Sequence, residues 1–105
     1  YLKIWYNVVM HLTQLIRDYA NKNPYLTRAD RAEVTLYNDA GEWAVAVEYI
    51  CARLTDYLAE KRSALSQQEL DELESLVDAT KSLEKFDDNF LNDVKEVSNT
   101  YSSRT

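Results

Sequence analysis

Glycine, proline, cysteine and histidine each occur once in these 105 residues. Each shortage closes something off. One Gly and one Pro cannot furnish the tight turns of a multi-stranded sheet. One cysteine, Cys51, excludes an internal disulfide, so nothing points to a secreted disulfide scaffold. One glycine, Gly41, cannot build a glycine-rich phosphate loop. One histidine, His11, cannot supply two Glu-x-x-His pairs for a di-metal bundle site. It has no metal-type spacing around it and reads as structural rather than catalytic. No run of about 18 apolar residues is present, so no membrane span is expected. The chain opens at Tyr1 rather than Met, so native residues are expected to precede it; no signal peptide is visible.

What is abundant favours helix. Leu, Ala, Glu, Asp and Lys dominate. The length suits one domain with a modest core, to which every helix must contribute. The expected organisation is a helical domain over 1–97 and a polar tail, "SNTYSSRT" over 98–105, that frays. Eight tyrosines are many for this length. Tyrosine fills core edges and also protein interfaces.

Charge is uneven. Residues 1–38 carry five bases and three acids, net +2, and residues 39–105 carry seven bases and fifteen acids, net −8; together these give the chain's −6. Within 69–96, ten acids face three lysines, net −7. Such a surface repels phosphate backbones, so nucleic acid is not expected as a direct partner. A basic protein is the natural complement. The plain alternative is a solvated acidic helix face.

Periodicity predicts five helices. Trp5, Val8, Val9, Leu12, Leu15, Ile16 and Tyr19 recur at amphipathic spacing and predict a first helix from about Leu2 to Ala20. "NKNPY" stops it, because the residue before Pro24 is pushed out of the α region. Thr27 is the expected N-cap of a short second helix. Ala29, Ala32 and Leu36 mark one face of it, flanked by Val34 and Tyr37. In "NDAG", Gly41 suits the left-handed residue after a helix end. A third helix, about Glu42 to Arg62, follows at once, with Glu42 complementing its dipole. Its stripe is Trp43, Ala46, Val47, Ile50, Leu54, Tyr57 and Leu58, while Val45, Tyr49 and Ala52 lie nearly opposite. A helix apolar on two sides is central, or shows one side to a partner.

"SQQE" is a capping box, Ser66 with Glu69, opening a fourth helix. Leu70, Leu73, Leu76, Val77 and Leu83 face inward; Asp71, Glu72, Ser75, Asp78 and Ser82 face outward. Phe86, Phe90, Val94 and Val97 make a last helix, with Asp87 or Asp88 near its start. The fold class is therefore all-α, a small bundle of four to five helices around a central apolar helix.

Catalytic constellations do not emerge. Cys51 lies among Ala and Val, where a small buried thiol is the default. Asp87-Asp88 lack the oxygen-rich loop and central Gly of a calcium site. The spacing of Asp71, Glu74 and Asp78 fits a solvent-facing carboxylate ladder. No cofactor is expected, and an enzyme is not the expected class.

Tyr37, Gly41, Glu42, Trp43, Ala46, Glu48 and Leu54, followed by "LSQQELDELESL", form a pattern that resembles the MafI-like immunity proteins of bacterial polymorphic toxin and contact-dependent inhibition systems. The resemblance covers roughly residues 30–80. It implies a small helical cytoplasmic protein that binds and neutralises the C-terminal domain of a cognate toxin, commonly a basic nuclease. The long first helix and "FDDNFLNDVKEV" lie outside it. The alternative is a helical adaptor or regulatory protein-binding domain unrelated to toxins. The expected partner-binding residues are Asp71, Glu72, Asp78, Asp87 and Asp88, with Glu48 and Tyr57 as weaker candidates. If the acidic face is ordinary solvated surface, the interface falls to the Val45, Tyr49 and Ala52 side of the third helix.

Overall fold

The computed structural model describes residues 2–102. Within them run α1 (Leu2–Lys22), α2 (Arg28–Asp39), α3 (Trp43–Lys61), α4 (Gln67–Lys81) and α5 (Asp88–Tyr101), with no strand among the described residues. This is the all-α bundle that the composition implies. α3 is its axis: all four other helices pack against it. Ala46, Val47, Ile50, Cys51, Leu54 and Leu58 are fully buried along it. Around them close Leu12 and Ile16 of α1, Val34 of α2, Leu73 and Val77 of α4, and Val94 of α5. A side chain of this kind contributes roughly 1.5–3 kcal/mol on burial.

The helix ends are chemically specified. Thr27 and Asp30 form a capping box at α2, the Thr27 hydroxyl accepting the Asp30 N–H and Asp30 accepting the Thr27 N–H. Ser66 and Glu69 repeat the device at α4. Asp87 caps α5 through the N–H of Asn89. α2 ends on Gly41 at φ +76, where the Gly41 N–H reaches the Asn38 carbonyl and the Glu42 N–H that of Tyr37. This is a Schellman turn, and it launches α3 two residues later. α3 ends in the same way, but with Arg62 at φ 51 in the left-handed position. Glu42 gives α3 no side-chain cap; the Glu84 carboxylate accepts the Ala44 N–H instead.

Three expectations need correction. The α2 face that turns inward is Asp30, Val34 and Asn38; Ala29, Ala32 and Leu36 are exposed. Polar residues hold those positions through partners across the bundle: Asp30 gathers several donors, and Asn38 Nδ2 donates to the Thr13 carbonyl while its buried Oδ1 finds no partner among the described residues. The second correction concerns 98–105. Helix continues to Tyr101, with Ser98 buried and its hydroxyl accepting the Leu65 N–H. Residues 103–105 of that segment lie outside the described residues. Finally, the apolar stripe of α1 is core only from Leu12 onward. Trp5 and Val8 are 59% and 41% exposed. The bundle reaches α1 at Thr13, where Asn38 and the Trp43 indole N–H dock. His11, just beyond, is exposed rather than packed.

Candidate protein-binding surface

Asp71, Glu72, Ser75 and Asp78 are all exposed on the outer face of α4, as the 3.6-residue period requires. Their nearest helical partners are neutral. Gln67 donates to Asp71 at 2.9 Å and Gln68 to Glu72 at 3.3 Å. Lysines pair elsewhere, Lys95 with Glu74 at 2.6 Å and Lys81 with Asp88 at 2.9 Å. Among the described residues these are the ion pairs made by the acids of 69–96, so most of that charge has no cation beside it.

Asp71 and Glu72 do not stand on a flat surface. They rim an open groove of about 540 Å³ between α1 and α4, with Asp18 and Lys22 on the opposite lip and Leu15, Tyr19 and Leu76 along it. Tyr19 is held there by Asn23, whose Nδ2 donates to its hydroxyl at 3.3 Å. Burial, then nearby acids including Glu69 and Glu72, raise the Tyr19 hydroxyl above the ordinary tyrosine range.

Asp87 and Asp88 belong to a different concavity. With Glu48, Lys85, Phe86 and Asn89 they line a shallow depression at the start of α5. Glu48 is drawn in by a hydrogen bond from the Asp87 N–H at 3.0 Å. The acidic segment thus divides into two sites, one along α4 and one at the α4–α5 turn.

Tyr57 is placed with neither. Its hydroxyl donates to Asp30 at 2.8 Å, inside a polar network that ties α2 to α3. Tyr49 also donates to Asp30, at 3.1 Å, and Arg53 Nε does so at 3.2 Å. Tyr49, Arg53 and Tyr57 are four residues apart and make one row on α3. Burial alone pushes the Asp30 carboxyl up, but hydrogen bonds from the Thr27 backbone and the Tyr57 and Tyr49 hydroxyls outweigh it and bring it down to about 2. Burial, followed by the Asp30 contact, carries Tyr49 up to about 12. Sequence reasoning missed this network. Its signal was present in the Thr27–Asp30 capping pair and in the four-residue spacing of Tyr49, Arg53 and Tyr57.

Burial and the nearby Glu48 push the Cys51 thiol up to about 12, far from a thiolate at neutral pH. Among the described residues no group of three or more His, Cys, Asp or Glu side chains is placed to hold a metal ion. Among the described residues no helix is long and apolar enough to cross a membrane. What the surface offers is an excess of exposed carboxylates beside apolar side chains, with Lys22 and Lys85 the cations lining the two concavities.

No protein-family model matches this chain, and comparison with curated proteins and with solved structures returned no significant similarity.

Proposed function

We propose that this chain is an immunity-type inhibitor that binds a basic toxin domain and neutralises it. The observation that carries the reading is the α4 face. Asp71 and Glu72 are exposed, partnered by neutral glutamines, and set on the rim of a groove with Leu15, Tyr19 and Leu76 along it. Repulsion among such acids costs stability that a cationic partner returns on binding. Lysine and arginine side chains of the partner meet the rim while their aliphatic stems lie along the groove. The pattern around Gly41, Glu42 and Trp43 supports the same reading through its resemblance to MafI-like proteins.

The test has two arms. A toxin C-terminal domain encoded beside this chain is expressed with and without it; protection is expected, and equal killing in both cases overturns the inhibitor reading. The second arm measures association rates over a range of salt concentrations. Replacing Asp71, Glu72 and Asp78 together by Ser is expected to slow association and flatten its salt dependence, leaving the fold intact because all three are exposed. An unchanged rate and salt response place the interface elsewhere.

A further inference from the structure

Arg53 shows how this chain holds a guanidinium. Its Nε donates to Asp30 at 3.2 Å, one terminal nitrogen meets Asp56 at 3.2 Å and the other donates to the Tyr57 hydroxyl at 2.7 Å, with the group 4.7 Å from the centre of the Tyr57 ring. Carboxylates from two helices and one tyrosine make that seat. The groove between α1 and α4 repeats the set. Asp18 comes from α1, Asp71 and Glu72 come from α4, and Tyr19 lines the groove with Leu15 and Leu76. Each of the three carboxylates accepts from a glutamine four residues earlier: Asp18 from Gln14 at 2.7 Å, Asp71 from Gln67 at 2.9 Å and Glu72 from Gln68 at 3.3 Å. A neutral amide fixes where a carboxylate points and leaves its charge intact. Among the described residues none of the three carboxylates is in an ion pair.

We propose that this groove seats one arginine side chain of the partner protein, its guanidinium among Asp18, Asp71 and Glu72 and its stem along Leu15, Tyr19 and Leu76. The proposal rests on the reading of this chain as a binder of a basic protein, and it names the side chain that anchors that protein. Charge and shape favour arginine over lysine. The carboxylates come from two helices, and a planar guanidinium offers five donors in a fork that meets several acceptors at once, whereas an ammonium is a compact, strongly hydrated point charge. Tyr19 adds an aromatic wall for the guanidinium, the part Tyr57 plays for Arg53. Lys22 also lines the groove and borders the adjoining cleft with Glu69 and Pro24. One lysine against three acids leaves a field that draws in a single cationic side chain and resists a run of them. At about 540 Å³ the groove has the size of sites that take ligands larger than one side chain, so the flanking residues of the partner also find room.

Short peptide amides that differ only in carrying arginine, lysine or citrulline at the centre, titrated into the isotope-labelled full chain and followed by NMR, test it. The arginine peptide is expected to shift the side-chain amide signals of Gln14, Gln67 and Gln68 and to bind about tenfold more tightly than the lysine peptide. Citrulline, neutral and of nearly the same shape as arginine, is expected to bind least. Asp18→Asn and Asp71→Asn, at exposed positions that leave the fold intact, are each expected to weaken arginine binding several-fold. Asp93→Asn removes the same charge from an exposed position on α5 and is expected to leave it unchanged. Equal affinity for the arginine and lysine peptides overturns the proposal. So do glutamine signals that stay in place, and a loss at Asp93→Asn equal to that at Asp18→Asn. None of these readings involves a toxin: a chain that prefers arginine at these glutamines yet fails to protect cells sinks the inhibitor reading and leaves the arginine seat.

Discussion

The Glu84 carboxylate accepts the Ala44 backbone N–H at 2.8 Å, across forty residues of sequence. It serves as the cap that Glu42 fails to give α3, and it fastens the α4–α5 connection to the start of the central helix. Helix caps contribute about 1 kcal/mol. Glu84→Ala is therefore expected to lower stability by about 1 kcal/mol, and Glu84→Gln, which keeps an acceptor oxygen, by less. Urea unfolding midpoints of the two variants check the order.

Asp30 makes the fold sensitive to acid. Its carboxyl sits near 2 instead of the ordinary 3.8. A group with a lowered folded pKa contributes its stability above the unfolded value and loses it as pH falls toward the folded one. About 1–2 kcal/mol should therefore fade between pH 4 and pH 2. Asp30→Asn is expected to be less stable than wild type at pH 7, with the gap narrowing below pH 4. Thermal melts at several pH values measure it; a gap constant from pH 7 to pH 2 contradicts the assignment.

The two left-handed helix ends give opposite expectations. At Gly41, φ +76, a side chain is strained even though an added Cβ finds ordinary contact with Trp43 at 3.9 Å. Gly41→Ala is expected to cost about 1 kcal/mol. At Arg62, φ 51, the strain is already present, and Arg62→Gly is expected to gain up to about 1 kcal/mol. Denaturation midpoints moving the same way in both variants contradict this account.

Trp43 is half-buried, with its indole N–H donating to Thr13 at 3.3 Å. A fully buried aromatic costs 3–5 kcal/mol on truncation; Trp43→Ala should fall near about 2–3 kcal/mol. Equilibrium unfolding monitored by circular dichroism gives the value.

Cys51 is completely buried, with its thiol raised to about 12. In native conditions at pH 8 it is expected to react with a thiol reagent only through unfolding. Its labelling rate should therefore rise with urea in step with the unfolded population.

Local chemistry was legible in the sequence, and long-range partnership was not. Ser66 with Glu69, and Gly41 after a helix, speak through neighbours within four residues, and both appear where expected. The centrality of α3 was readable as one of two alternatives, because apolar residues line it on two sides. The α2 face was not readable, because Asp30 and Asn38 are buried through donors and acceptors far along the chain, at Tyr49, Tyr57 and Thr13. In α1, periodicity placed Trp5 and Val8 on the same stripe as Leu12. Periodicity gives direction around a helix, and nothing in it says where along the axis the bundle stops. The acids of 69–96 are contiguous in sequence but divided in space, because the chain turns at Phe86 and presents Asp87 and Asp88 beside Glu48.

The Asp30 cluster has a consequence for anyone redesigning this domain. Tyr49, Arg53 and Tyr57 span two turns of α3, and a single carboxylate collects all three. An all-leucine replacement of the four residues can match or exceed the native stability, since buried ionic groups often lose to well-packed hydrocarbon. Leucines, however, accept one another at several offsets, and a carboxylate has one position that satisfies its donors. The redesigned helix pair would keep its Gly41 turn but lose the polar contact that fixes the alignment of the two helices beyond it. Robustness to heat and fidelity of alignment would then part company in the same variant.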